Sequence, residues 1–323
     1  MKRLLLSSTT LVAASAMPAL AEVSISGGAE IGIIGGSAVS GSDFQFLTSI
    51  DDITFTLSGA TDNGLTFGGS IDLSDAANGV AFDNTEQGGE TIFVSGDFGT
   101  VSAGDVDGAM ESRAVYLAQV FALADDNTVH AGFNFNNGMH GEFDGQKFKY
   151  DYTVGGFTAS ASAEIDDDDL SNQENIYTVA ASYARTVGGQ NLYGAVAIQS
   201  GEDGGNERDI YSVSGSVRFN EGALSGLFLG TNYTELDGFD HRGNGNADDS
   251  HWGVNAAYDI GDLSVGANYG SFDLVSGGDD SGYGLAASYD LGGGAAVVGG
   301  YGRSEPESGD ETDSYSFGMR FSF

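Results

Sequence analysis

The residues best placed to act on a charged solute lie in one link, from Asp105 to Gly145. It carries Asp105, Asp107, Glu111, Asp125 and Asp126, with Arg113 as its only Lys or Arg. Acids gathered this way attract cations, because a low-dielectric wall focuses their field. The link also holds an apolar patch, Val115, Tyr116, Leu117, Val120, Phe121 and Leu123. A solvated loop tip gains nothing from such residues. The link holds roughly forty residues where about 4–6 is usual, and its contour could reach roughly 130 Å. We therefore expect it to fold inward and pack inside a wide cavity, leaving the acids on one side of a constriction. Lys147, Lys149, Arg218 and Arg320 are the cations expected on the surrounding wall.

Other chemistries find little support. The chain has no Cys, which excludes a disulfide framework, a thiolate metal site and a Cys nucleophile. The histidines, His130, His140, His241 and His251, show no metal spacing. No Gly-x-Ser-x-Gly elbow presents a serine. A formal charge of −36 excludes a general nucleic-acid binder, since phosphates would be repelled. The acid runs Asp166 to Asp169, Asp248-Asp249 and Asp279-Asp280 offer oxygen ligands suited to Ca²⁺ but lack EF-hand spacing. No cofactor is required by any motif, and the chain is not expected to be an enzyme.

The elements that position the link are short alternating segments. Val23, Ile25, Ala29, Ile31 and Ile33 share one face, and Ser24, Ser26, Gly28 and Glu30 the other. The period of two recurs in Ile53 to Leu57, Phe148 to Tyr152, Tyr177 to Tyr183, Tyr211 to Phe219 and Trp252 to Ile260. Hydrophobic residues at 40% and aromatics at 11% favour β structure over disorder. Short links, such as Thr61-Asp62-Asn63-Gly64 with its hairpin signal, alternate with long polar ones. About sixteen strands, with short turns at one rim and long loops at the other, describe a transmembrane β-barrel. Closure is required, because an open edge in lipid leaves backbone groups unpaired. A barrel of roughly 16 strands is wide enough to keep an aqueous bore.

The first residues read as an address. Lys2 and Arg3 precede the apolar run Leu4 to Ala16, and Ala19-Leu20-Ala21 offers small residues for cleavage. We expect residues 1–21 to be a cleavable secretory signal and residues 22–323 to be the barrel. The last strand, Tyr315 to Phe323, is apolar at every second position and ends on an aromatic, a terminal pattern of outer-membrane barrels.

The chain resembles the general porins of alphaproteobacteria over Glu22 to Phe323. The resemblance is carried by Phe55-Thr56-Leu57-Ser58-Gly59 through Gly68, by Gly96-Asp97-Phe98-Gly99-Thr100-Val101-Ser102-Ala103-Gly104-Asp105, and by Ala287 through Ala295. It implies a homotrimer of all-β, 16-stranded antiparallel barrels in the bacterial outer membrane, each passing small hydrophilic solutes. It also implies a third loop inside the bore. The family commonly sets an arginine cluster opposite that loop. Here the inward cations are few, and Glu30, Asp52 and Asp72 are expected to face inward, so a more uniformly negative, cation-preferring bore is expected. Divalent ions bridging the acidic loops to lipopolysaccharide fit the same picture. Two rival readings are an outer-membrane lipid hydrolase and a secreted acidic Ca²⁺-binding β protein. The second needs a short strict repeat, and none is present.

Overall fold

Alternation of side chains along each segment becomes a closed antiparallel barrel in the computed structural model. It describes residues 22–39, 44–74, 86–124, 128–133, 138–139, 146–165, 175–203, 206–237, 239–240 and 247–323. The expected signal at 1–21 and the acid run 166–169 lie outside these.

The strands run β1 Glu22–Gly35, β2 Phe44–Ala60, β3 Thr66–Ser74, β4 Glu86–Gly96, β5 Gly99–Gly104 and β6 Lys147–Val154. They continue as β7 Phe157–Glu164, β8 Ile176–Val187, β9 Gln190–Asp203, β10 Asn206–Phe219 and β11 Leu227–Leu236. The last are β12 Asp248–Ile260, β13 Leu263–Leu274, β14 Asp279–Gly292, β15 Ala295–Glu305 and β16 Thr312–Ser322. Each pairs with its sequence neighbours, and β1 closes on β16 in a register that sets Glu30 opposite Arg320. All sixteen strands are thus edge-free, as a lipid environment demands.

The two faces differ as the alternation requires. In β11 every second residue is buried, while Leu229 and Tyr233 are exposed outside. Val23, Ile25, Phe46, Ile92, Val179 and Phe317 are likewise exposed. Their outward apolar band is far larger than a soluble monomer tolerates, and it fits hydrocarbon. No helix among the described residues is long and apolar enough to cross a membrane.

Two links that the alternation marks as long, Ser200 to Glu207 and Asp273 to Asp280, are shorter in the structure. β9 and β10 stay paired to Asp203 and Asn206, and β13 and β14 resume contact at Asp273 and Asp279. The physical reason is height. A 14-residue strand such as β9 spans roughly 46 Å at about 3.3 Å per residue, or roughly 35 Å when tilted about 40°. The apolar band is only about 25 Å tall. Strands therefore continue past the lipid as polar ribbons that carry no hydrophobic signature.

The short rim is built of tight turns. At Thr61 to Leu65, Thr61 N–H donates to the Leu65 carbonyl at 2.8 Å, and Gly64 takes a φ of +88° that suits only glycine. The best-buried apolar side chains lie between the wall and the segment joining β5 to β6. Ala109, Leu117, Ala122 and Leu123 are almost wholly covered.

Candidate functional site

The segment after β5 turns into the bore at Gly104 and does not hang above the rim. A single helical turn follows, with Ser112 N–H donating to Gly108 and Ala114 N–H to Met110. The chain then runs along the inner wall. Ser162 on β7 accepts from Ala109 N–H at 2.9 Å, and Ser214 on β10 accepts from Val115 N–H at 3.0 Å. Tyr193 on β9 donates its hydroxyl to the Arg113 carbonyl at 2.5 Å. Asn255 on β12 donates to the carbonyls of Tyr116 and Leu117 at 2.7 and 2.8 Å. Ser316 on β16 accepts from Leu123 N–H at 3.2 Å. Farther on, Ser304 of β15 accepts from Ala131 N–H, and Gln199 of β9 accepts from Met139 N–H. An irregular segment has no ladder of its own, so wall side chains satisfy its buried backbone groups. Each bond contributes about 1 kcal/mol net, and leaving such a group unpaired costs more.

Apolar knobs from the same segment enter holes left by wall glycines. A methyl group added at Gly253 would come within 2.6 Å of Leu117, one at Gly266 within 3.0 Å of Val120, and one at Gly318 within 2.7 Å of Leu123. At Gly270 the backbones touch, and a Cβ would strike the Gly132 carbonyl oxygen. Two histidines complete the seating. His130 donates from Nε2 to Asn268 Oδ1 at 2.8 Å, and His251 Nε2 lies 3.0 Å from the Gly132 carbonyl. Burial pulls His130 down from 6.5 to about 4, partly offset by the Asn268 bond.

The charged residues fall into separate groups. Asp105 meets Lys147 at 3.7 Å. Lys149 donates to Ser112 Oγ at 2.7 Å and lies 3.9 Å from Asp151, which is also 3.9 Å from Arg113. Asp107 is exposed, and Glu111 is half-buried beside it. Burial, and then the Asp107 charge, push the Glu111 carboxyl up from 4.5 to about 7. These acids and the two lysines thus stand together on one flank, at the foot of the segment, and the lysines do not face the acids across the bore. Asp125 and Asp126 lie outside the described residues.

Arg218 and Arg320 stand elsewhere. Arg218 is four residues beyond Ser214 on β10, roughly 13 Å nearer the short-turn rim. It pairs with Asp259 at 3.1 Å and lies over the Phe228 ring. Arg320 faces inward but binds Glu30 at 2.7 Å and donates to the Ala122 carbonyl at 2.8 Å. Of the other inward acids expected, Asp72 is half-buried on β3 opposite Thr54, while the Asp52 side chain lies outside the described residues. No Lys or Arg occurs between Glu22 and Ser112, so the wall from β1 through β5 carries no basic residue.

Sequence reasoning did not single out Asp151, Asn255, Asn268, Gln199 or the wall glycines. A signal was present: all fall on the inward parity of their strands, where solvated serine and threonine would have served as well. Among the described residues no group of three or more His, Asp or Glu is arranged to hold a metal ion.

Comparison with known proteins places this architecture. The Gram-negative porin family matches residues 8–309. A porin of Rhodobacter capsulatus is 31% identical over 173 residues, 52% of this chain and 53% of that protein, so the chain spans about half the length of the curated relative it matches. A porin structure is 24% identical with a TM-score of 0.70, covering 94% of this chain and 100% of the other. A variant of the Rh. blastica porin gives 22% and 0.68 over the same shares. An anion-selective porin from Comamonas acidovorans gives 15% and 0.64, again over 94% and 100%. At these identities the solved structures establish the fold alone.

Proposed function

The chain belongs to the Gram-negative porin family and is a barrel of the bacterial outer membrane, and from that premise we propose a cation-preferring channel for small hydrophilic solutes. One observation carries the preference: a segment bearing Asp105, Asp107 and Glu111 lies inside a barrel whose β1 to β5 wall has no Lys or Arg. Cations gather where such a field is focused, and anions meet no compensating charge on that wall. Lys147, Lys149, Arg113, Arg218 and Arg320 each lie against a carboxylate. Size selection follows from the segment narrowing the bore.

The test is a reversal potential in planar bilayers under a KCl gradient. A cation-favouring potential is expected, larger at low salt, where the Debye length exceeds about 10 Å. Replacing Asp105, Asp107 and Glu111 together by their amides should reduce it. An unchanged potential would remove these acids from the constriction.

Three copies per assembly, processing after Ala21, and divalent bridging of the outer loops to lipopolysaccharide complete the proposal. Gel mobility before and after boiling reads the first, and N-terminal sequencing of the mature chain the second. Removal of divalent ions with a chelator reads the third. Family membership implies a channel and no catalytic step. An absence of fatty-acid release from added phospholipid is the expected result of a hydrolysis assay.

A further inference from the structure

We propose that the bore-facing side of the inward segment carries a subsite for organic cations with a flat or quaternary head. The proposal deepens the cation-preferring reading and rests on it. Side chains between Val115 and Leu123 sort to two sides. Val115, Leu117, Val120 and Leu123 are buried against wall glycines, whereas Tyr116 is 37% exposed and Phe121 is only partly covered. The Tyr116 and Phe121 rings stack at 6.0 Å with 26° between planes. Phe133, from the returning stretch, meets Tyr116 edge-on at 5.4 Å. Three aromatic rings thus form one platform whose open side is the water of the bore.

A hydrated passage has no need of such a patch, and the wall neighbours show that this segment can bury its apolar groups where burial is wanted. The platform is also held still. Asn255 grips the carbonyls of Tyr116 and Leu117, and Ser214 holds the Val115 amide. Fixed rings lose little freedom when a guest arrives. Charge selects the guest. Ring faces attract cations, and the β1 to β5 wall has no basic residue to compete. A quaternary ammonium with an apolar body satisfies both features. A small hydrated metal ion would use only the charge.

The probe is benzyltrimethylammonium, added to the purified full-length protein in planar bilayers at low salt. Concentration-dependent interruption of the single-channel current is expected. The half-blocking concentration should rise at least five-fold in the Tyr116→Leu/Phe121→Leu variant. Tyr116→Phe, which keeps the ring face, should retain the block and shows that the segment is still seated. Equal block in wild type and the leucine variant would overturn the proposal. Block by neutral sucrose that the leucine variant also loses would overturn it too, because the platform would then read sugar faces. The wild-type KCl reversal potential, recorded in the same membranes, tests the cation preference separately. An anion-favouring potential there defeats the parent reading whatever the ring variants do.

Discussion

Glu30 and Arg320 face each other across the seam where the first and last strands meet, 2.7 Å apart, and both also hold the inward segment. Arg320 donates to the Ala122 carbonyl, and the second Glu30 oxygen accepts from Ala124 N–H at 2.6 Å. Barrel closure and segment seating therefore share one ion pair. Glu30 is nearly buried, so removing Arg320 alone strands a buried charge at a cost of about 3 kcal/mol. Arg320→Gln should lower the temperature at which the barrel loses its folded gel mobility and raise current noise as the segment loosens. Adding Glu30→Gln should recover part of the loss, giving a non-additive cycle.

Glu111 should make ion preference depend on pH near neutrality. Its carboxyl titrates near 7, so it is charged at pH 8 and neutral at pH 6. Cation preference should fall on acidification across that interval, and Glu111→Gln should abolish the step. The linked stability has the opposite sense. The seated segment binds the proton more tightly than a released one, so seating weakens as pH rises from 4.5 to about 7. Reversal potentials measured from pH 5 to pH 9 would read the first effect.

His130 acts in the other direction. Seated, it is neutral down to about pH 4; released, it would protonate near 6.5. The released form binds more protons between those values, so seating is complete above 6.5 and declines as pH falls toward 4. The buried Nδ1 has no partner among the described residues, so its new proton would find no acceptor. Protease cleavage within residues 128–139 should rise over that window. His130→Gln, which keeps a donor toward Asn268, should flatten the response.

The wall glycines predict graded steric effects. Gly253→Ala meets side chains alone, the movable tip of Leu117 first and then Asn232 and His251, whereas Gly270→Ala meets the Gly132 backbone. Overpacking costs about 1–3 kcal/mol, with the larger value where backbone must shift. Gly270→Ala should displace the returning stretch and change conductance. Gly253→Ala should do little, and Leu117→Ala should offset it.

Strand number, closure and the inward segment were legible because lipid imposes alternation and a long apolar link has only one place to bury itself. Lys147, Lys149, Arg218 and Arg320 were also legible as inward-facing, since parity decides that. Their partners were not. Lys149 beside Asp151, and Arg320 on Glu30, depend on register between strands and on where the segment lies, and neither leaves a local pattern. Strand ends beyond the membrane were invisible for a related reason: outside hydrocarbon, both faces are polar.

The segment's side-chain anchors fall on β6, β7, β9 to β13, β15, β16 and β1. Among the described residues none of these side-chain bonds comes from β2, β3 or β4, strands that also carry no Lys or Arg. A cation drawn to that arc would meet Asp72 there besides the segment's own acids, and widening the cylinder elsewhere would leave both in place.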